Sequence, residues 1–233
     1  MTGTYVFWDV DGTLISTDGA GRRAWERAAN EVLGQPDLLA GLETAGSSDA
    51  EIATAVCRAA DVEEPNCAPR LLEAVERALP HELRAGIGGV LANVRENLEA
   101  LSARDDVVNM LLTGNVAANG RFKLEHFDLW RFFAAGGAFS VAGTDRAGIA
   151  RRARTLATEH AGHEVAGEQM VVIGDTPHDI ACGKAIGART IAVATGRAYT
   201  LAELEARQPW RAFAVLPEPA SLCATLGLEL TEG

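Results

Sequence analysis

Two carboxylates one residue apart, Asp9 and Asp11, follow directly on the strand-favouring run Tyr5, Val6, Phe7 and Trp8 and precede Gly12 and Thr13. A strand points alternate side chains to one face, so both carboxylates would project together from its end, while Gly12 lets the backbone turn away. Two anions crowded in this way call for a cation, and Mg²⁺, a hard ion that seeks oxygen, suits a carboxylate pair on rigid backbone. Taken alone, an Asp-Gly turn closing a strand explains the pair equally well. Partners further along the chain decide. Val107 to Leu112 is a second apolar run, ending in Thr113-Gly114-Asn115, and Met170 to Ile173 is a third, ending in Gly174-Asp175-Thr176-Pro177-His178-Asp179. In open parallel sheets ligands bind beyond the carboxyl ends of strands, so three such termini can converge on one crevice.

Positioning them requires helices between the strands. Asp18 to Leu33 carries Ala20, Ala24, Trp25, Ala28 and Val32 at helical spacing, and Ser48-Asp49-Ala50-Glu51 forms a capping-box pattern ahead of a helix over Ile52 to Ala60. Pro69 to Leu79 reads as a further helix ending at Pro80, and no strand is expected between Ile15 and Arg84. Residues from about Ser16 to about Arg84 therefore read as a helical insert. Gly86-Ile87-Gly88-Gly89 reads as a hinge or, equally, a simple turn. Ile87, Val90, Leu91, Val94, Leu98 and Leu101 follow helical spacing. Further on, Val116 to Phe127 and Asp145 to Glu159 read as helices, the second rich in arginine, and Ala138 to Val141 as a short strand. Helices from Pro177 and Leu201 then alternate with strands at Thr190 to Val193 and Phe213 to Leu216. This alternation predicts an α/β core, a doubly wound Rossmann-like parallel sheet built from 1–15 and 85–233, with the helical insert at 16–84.

Composition narrows the function classes. The chain has 233 residues, 48% of them hydrophobic, enough for a substantial core. Its net charge of −11 argues against a sequence-independent hold on nucleic acid or an anionic membrane. No apolar run approaches the roughly 20 residues of a membrane span. The first strand begins too early for a signal peptide, so a cytoplasmic location is expected. Cys57, Cys67, Cys182 and Cys223 show no metal-binding spacing and are expected as four separate thiols.

With all three acidic and polar termini in view, the chain resembles the haloacid dehalogenase-like (HAD) hydrolase superfamily over roughly residues 4 to 216. Phosphatases of that superfamily carry DxDGT, a hydroxyl residue after a second strand, a basic residue and a GDxxxD-type motif. The resemblance implies Mg²⁺-dependent hydrolysis of a small phosphorylated metabolite, and a role for the insert as a cap that closes over the site and sets substrate choice. It also implies roles. Asp9 would attack phosphorus to form an aspartyl-phosphate, and Asp11 would protonate the leaving oxygen and later deprotonate water. An aspartate at the second position favours phosphate esters over the halide and phosphonate branches. Mg²⁺ would be held by the Asp9 side chain, the Asp11 backbone carbonyl and Asp175, with Asp179 acting through water or from behind. Thr113, Gly114 and Asn115 would hold phosphoryl oxygens, with Gly12 and Thr13 as local support.

The lysine of the superfamily's KPxP-like stretch is missing here. Arg146 is the first candidate for the phosphate-stabilising cation. Lys123 is the second, because it falls about two turns, roughly 12 Å at 1.5 Å per residue, into its helix. Arg22 and Arg23 could meet an anionic tail of the substrate, although solvated arginines are commoner. Arg151, Arg152 and Arg154 read as an exposed face. Between the two histidines that draw attention, His126 and His178, the second is expected at the rim of the site. Two alternatives stand beside hydrolysis, a phosphomutase using the same aspartates and a non-catalytic sensor of a phosphate ligand.

Overall fold

Alternate residues of the first strand enter opposite cores. In the computed structural model, which describes residues 3–42 and 44–228, β1 (Thr4–Trp8) sends Val6 and Trp8 into one hydrophobic cluster and Tyr5 and Phe7 into another. Both faces of the sheet are therefore covered, as a parallel sheet demands. Its strands β4 (Val107–Leu112), β5 (Gly137–Ala138), β6 (Met170–Gly174), β7 (Arg189–Val193) and β8 (Arg211–Phe213) pair with β1 in the order β5-β4-β1-β6-β7-β8, all parallel. Helices α4 (Val94–Ser102) and α9 (Pro219–Leu226) cover the first face; α6 (Arg146–Ala161) and α7 (Pro177–Ala185) cover the second. Trp8 stays fully buried because its indole N–H donates to Asn109 Oδ1 at 2.9 Å. Two further helices, α5 (Ala117–His126) and the short α8 (Leu201–Glu205), complete the alternation.

Helices α1 (Ala20–Leu33), α2 (Asp49–Ala59) and α3 (Cys67–Ala85) pack on each other around Trp25, Leu39, Val56, Leu71 and Leu79, in a cluster of their own. Ser48 caps α2 with the reciprocal Glu51 bond that its sequence pattern predicts.

Several expectations are corrected. Helix α3 runs through Pro80 to Ala85 instead of ending at the proline. Ile15–Ser16 is a two-residue strand, β2, paired antiparallel with β3 (Gly89–Val90), so one short strand does begin the insert. This pairing is why the apolar spacing from Ile87 does not make a helix there. Gly88 crosses so close to the Ser16 carbonyl that a Cβ would lie 2.4 Å from it, Ile87 is left 88% exposed, and α4 begins only at Val94. The short strand expected at 138–141 is Gly137–Ala138. The one expected at 213–216 is Arg211–Phe213; Leu216 instead turns into the core and its carbonyl accepts from Asn93 Nδ2 at 2.7 Å. Helix α9 was not foreseen. Cys57 and Cys67 are joined by a disulfide, against the expectation of four thiols, because the end of α2 and the start of α3 bring their Cα atoms within 6.1 Å. Cys182 and Cys223 are free and buried. Among the described residues no helix is long and apolar enough to cross a membrane.

Candidate active site

Asp9 leaves the end of β1 with its N–H donated to the Ile173 carbonyl at 3.0 Å, so the ladder to β6 carries the aspartate rigidly into the site. Its carboxylate is buried, and one oxygen each of Asp9, Asp175 and Asp179 lie within 4.8 Å of one another. Burial first, then Asp179, raises the Asp9 pKa well above the usual carboxylate range, with Arg146 opposing and Asp175 and Asp11 adding to the rise. Asp175 is pushed up to about 8, by burial and by Asp179. Such a set, short of positive charge and offering only oxygen, fits a hard divalent cation.

Asp175 is held by its neighbours' lack of side chains. A Cβ on Gly12, whose φ is +82°, would lie 2.3 Å from Asp175 Oδ2, and one on Gly196 would lie 1.8 Å from it. Thr13 Oγ1 donates to Asp175 Oδ1 at 3.1 Å, and Thr195 Oγ1 donates to the Gly12 carbonyl at 2.6 Å. Thr195 and Gly196 escaped the sequence reading. The signal was there, since Ala194-Thr195-Gly196 follows an apolar strand as Leu112-Thr113-Gly114 does.

Asp179 stands at the third position of α7 and its Oδ2 accepts from Thr176 N–H at 3.0 Å and from Thr176 Oγ1 at 2.6 Å. Its other oxygen accepts from Arg146 Nη2 at 2.8 Å. With both oxygens engaged, Asp179 is placed to support its neighbours from behind. Burial disfavours the Arg146 charge, yet Asp179 and Asp9 outweigh it and raise its pKa. Arg146 Nε is buried with no partner among the described residues, and a Cβ on Gly114 would lie 2.8 Å from its Nη1.

Lys123 is brought in as well. Helical side chains lean towards the helix N-terminus, and the Lys123 stem runs back along α5 until Nζ donates to Asp11 Oδ2 and to Asn115 Oδ1, each at 2.6 Å. Axial distance alone, used to rank Lys123 second, misjudged its reach. Burial opposes its charge, but Asp11 and Asp49 raise its pKa above the ordinary lysine value. Asn115, expected to serve through its backbone, works through its amide, donating to Asp11 Oδ2 at 2.9 Å and to Thr113 Oγ1 at 2.8 Å.

All nine candidate residues, Asp9, Asp11, Thr113, Gly114, Asn115, Lys123, Arg146, Asp175 and Asp179, thus lie around one centre. All but Asp179 line a cavity of about 730 Å³, whose opposite wall is Trp25, Leu39 and Ile52 of the helical segment. Arg22 lines it too, while Arg23 pairs with Glu82 at 3.2 Å outside it. His178 sits at the rim, where a Cβ on Gly46 would lie 2.5 Å from its ring. His126 stacks edge-on against Phe127 and takes no part.

A family model described as HAD-hydrolase-like matches residues 147–219. A search of curated proteins found no match. Among solved structures, a predicted phosphatase from Clostridium acetobutylicum superposes with a TM-score of 0.70 at 16% identity, over 97% of this chain and 99% of that one. A predicted phosphoglycolate phosphatase from Haemophilus somnus gives 0.69 at 16% identity, over 97% and 99%. A haloacid dehalogenase-like family hydrolase from Streptococcus pneumoniae gives 0.65 at 19% identity, over 96% and 98%. The fold is that of the HAD-like proteins, and the resemblance drawn from the motifs stands on the family model and the fold together.

Proposed function

We propose that this chain, a HAD-like protein by fold and by family match, is a Mg²⁺-dependent phosphatase that hydrolyses a small phosphorylated metabolite through an aspartyl-phosphate at Asp9. The observation that carries the reading is the meeting of Asp9 and Asp11 with Asp175, Arg146 and Lys123 on the wall of one cavity at the carboxyl ends of adjacent strands, with Asp179 behind them. Asp9 and Asp175, with the Asp11 carbonyl, would hold Mg²⁺, which supplies charge neutralisation between an anionic nucleophile and a phosphate dianion.

The chain's own groups do the rest. An Asp9 oxygen attacks phosphorus as the ester P–O bond breaks, and Asp11 gives its proton to the departing oxygen. Water then attacks phosphorus as the bond between Asp9 and phosphorus breaks, and Asp11 takes a proton from that water, so phosphate leaves and both carboxyl groups return to their starting states. Lys123 and Asn115 hold the Asp11 carboxylate in place throughout. The Arg146 guanidinium, the Thr113 hydroxyl and the Gly114 N–H, on the cavity wall, would meet the equatorial phosphoryl oxygens. Residues 16–84, which carry α1, α2 and all but the last residue of α3, act as a cap on a core of 1–15 and 85–233, with Trp25, Leu39 and Ile52 excluding water.

A panel of phosphorylated metabolites assayed with Mg²⁺, and again with EDTA, tests the reading. Phosphate release that EDTA suppresses is expected; release from no member of the panel, or release indifferent to EDTA, would sink it.

A further inference from the structure

Helix α5 starts on a residue that cannot cap it. Val116 stands at its N-cap with no side-chain bond to the first turn, so the free N–H groups at that end need an acceptor from elsewhere. It comes from across the cleft. Asp49, in the first turn of α2, accepts on one oxygen from Val116 N–H at 2.8 Å and from Asn119 Nδ2 at 2.9 Å. Its own N–H donates to the Gly114 carbonyl at 2.7 Å, and the Ala50 N–H donates to Ser140 Oγ at 3.3 Å.

These contacts are built against resistance. Asp49 is only 7% exposed, and burial raises its pKa despite the opposing Lys123. Asn119 commits its NH₂ group to Asp49 while its own Oδ1 stays buried with no partner among the described residues. Burying a carboxylate and stranding an amide oxygen both disfavour folding. Packing of α1–α3 does not require either, because their apolar cluster closes around Trp25, Leu39, Leu71 and Leu79.

We propose that Asp49 is a positioning residue that latches helices α1–α3 over the active site and thereby holds the segment from Thr113 to Lys123 in working geometry. The proposal rests on the phosphatase reading above. The latch touches Gly114, whose peptide adjoins the phosphate-facing hydroxyl of Thr113, and α5, whose Lys123 reaches Asp11 and Asn115. Opening would take a negative charge away from the N-terminus of α5 and release the Gly114 peptide; closing restores both. The site is then complete only when the substrate is enclosed.

The test compares Asp49→Ala, Asn119→Asp and the double variant Asp49→Asn/Asn119→Asp with wild type, using p-nitrophenyl phosphate and Mg²⁺. The two single variants are expected to lower kcat about tenfold or more and to leave KM within about threefold, the signature of a displaced catalytic group. The double variant, which again offers an acceptor to Val116 N–H and a hydrogen-bonded pair at 49 and 119, should recover much of the loss. Amide hydrogen exchange should quicken at 114–119 and in the first turn of α2, with β1 and β6 unchanged. Single variants within about twofold of wild type, a double variant no better than the worse single, or loss of protection spread equally through β1 and β6 would overturn the latch. A wild-type chain that releases no phosphate overturns the phosphatase reading instead. Exchange alone then judges the latch, which stands on local deprotection and falls on a wild-type pattern.

Discussion

At the scale of single residues, the candidate centre separates groups that would react from groups that place them. Asp9 has the buried position and the rigid backbone of a nucleophile, and the amide in Asp9→Asn keeps its shape without its nucleophilicity. Turnover should fall by on the order of 10⁴-fold or more with the fold unchanged, checked by steady-state kinetics beside circular dichroism; retention of a few per cent would remove Asp9 from the role. Arg146 and Lys123 hold different partners, Asp179 and Asp11, so both alanine variants should lose about 10² in kcat or more. Both should also shift the pH profile, by different routes: Lys123 touches the proposed proton carrier, and Arg146 restrains the rise of the Asp9 pKa. Side-by-side profiles decide; a near-normal Arg146→Ala would hand the phosphoryl charge to Lys123 alone. Gly196→Ala places a methyl 1.8 Å from Asp175 Oδ2. It should weaken Mg²⁺ binding at least tenfold, as isothermal titration would show; unchanged binding would remove Gly196 from that role.

Elements act through their ends. Thr176 caps α7, Pro177 occupies its first turn, and Asp179 completes the box, so the local rule that starts a helix also aims an acidic residue at the site. Ser48 and Glu51 start α2 in the same way and thereby present Asp49 to α5. The Cys57–Cys67 bond ties α2 to α3 across a sequence separation of 10. Closing so short a loop stabilises by about 2.5 kcal/mol in the chain-entropy account. Reduction, or Cys57→Ser/Cys67→Ser, should therefore lower Tm by roughly 5–10 °C, at about 2–4 °C per kcal/mol for a chain of this size. Differential scanning calorimetry checks this; an unchanged Tm would show that α1–α3 hold together without the bond.

Across the whole molecule, the crowded carboxylates link stability, pH and cation. Asp175 titrates near 8 in the folded chain and near the ordinary carboxylate value of about 3.9 when unfolded. Between those values the folded state holds a proton that the unfolded state has lost, so the metal-free protein loses stability as pH rises through that window. Mg²⁺ would take the proton's place. Its stabilisation should then be larger at about pH 8 than at about pH 5.5, reaching roughly 2.7 kcal/mol at 100 times Kd, or about 5–10 °C in Tm. Thermal melts with Mg²⁺ and with EDTA at the two pH values measure it, and equal shifts would argue that the cation displaces no proton. The ribbon of β2 and β3 is where the helical segment joins the sheet, and we expect the segment to close about it. Small-angle scattering should register a smaller radius of gyration with Mg²⁺ and orthovanadate together; identical curves would count against movement.

The motifs and the fold class were legible in the sequence because both rest on local patterns. Apolar runs ending in polar residues mark strands that stop at a crevice, and strict alternation with helices leaves few topologies besides a parallel, doubly wound sheet. The nine candidate residues all came from that reading, down to the missing lysine. What the sequence could not carry depends on distance between remote segments. The reach of Lys123 follows from the lean of its side chain along α5, and the engagement of both Asp179 oxygens from the approach of α6 to α7. The Cys57–Cys67 bond needs α2 to turn back on α3, and Gly196 matters only because β7 lies beside β6, which puts a residue 21 positions past Asp175 against its carboxylate. The helix expected from Ile87 failed for the same reason. Its spacing was helical, but the partner that claims Gly89 and Val90 is β2, some 70 residues earlier in the chain, and only tertiary structure supplies it.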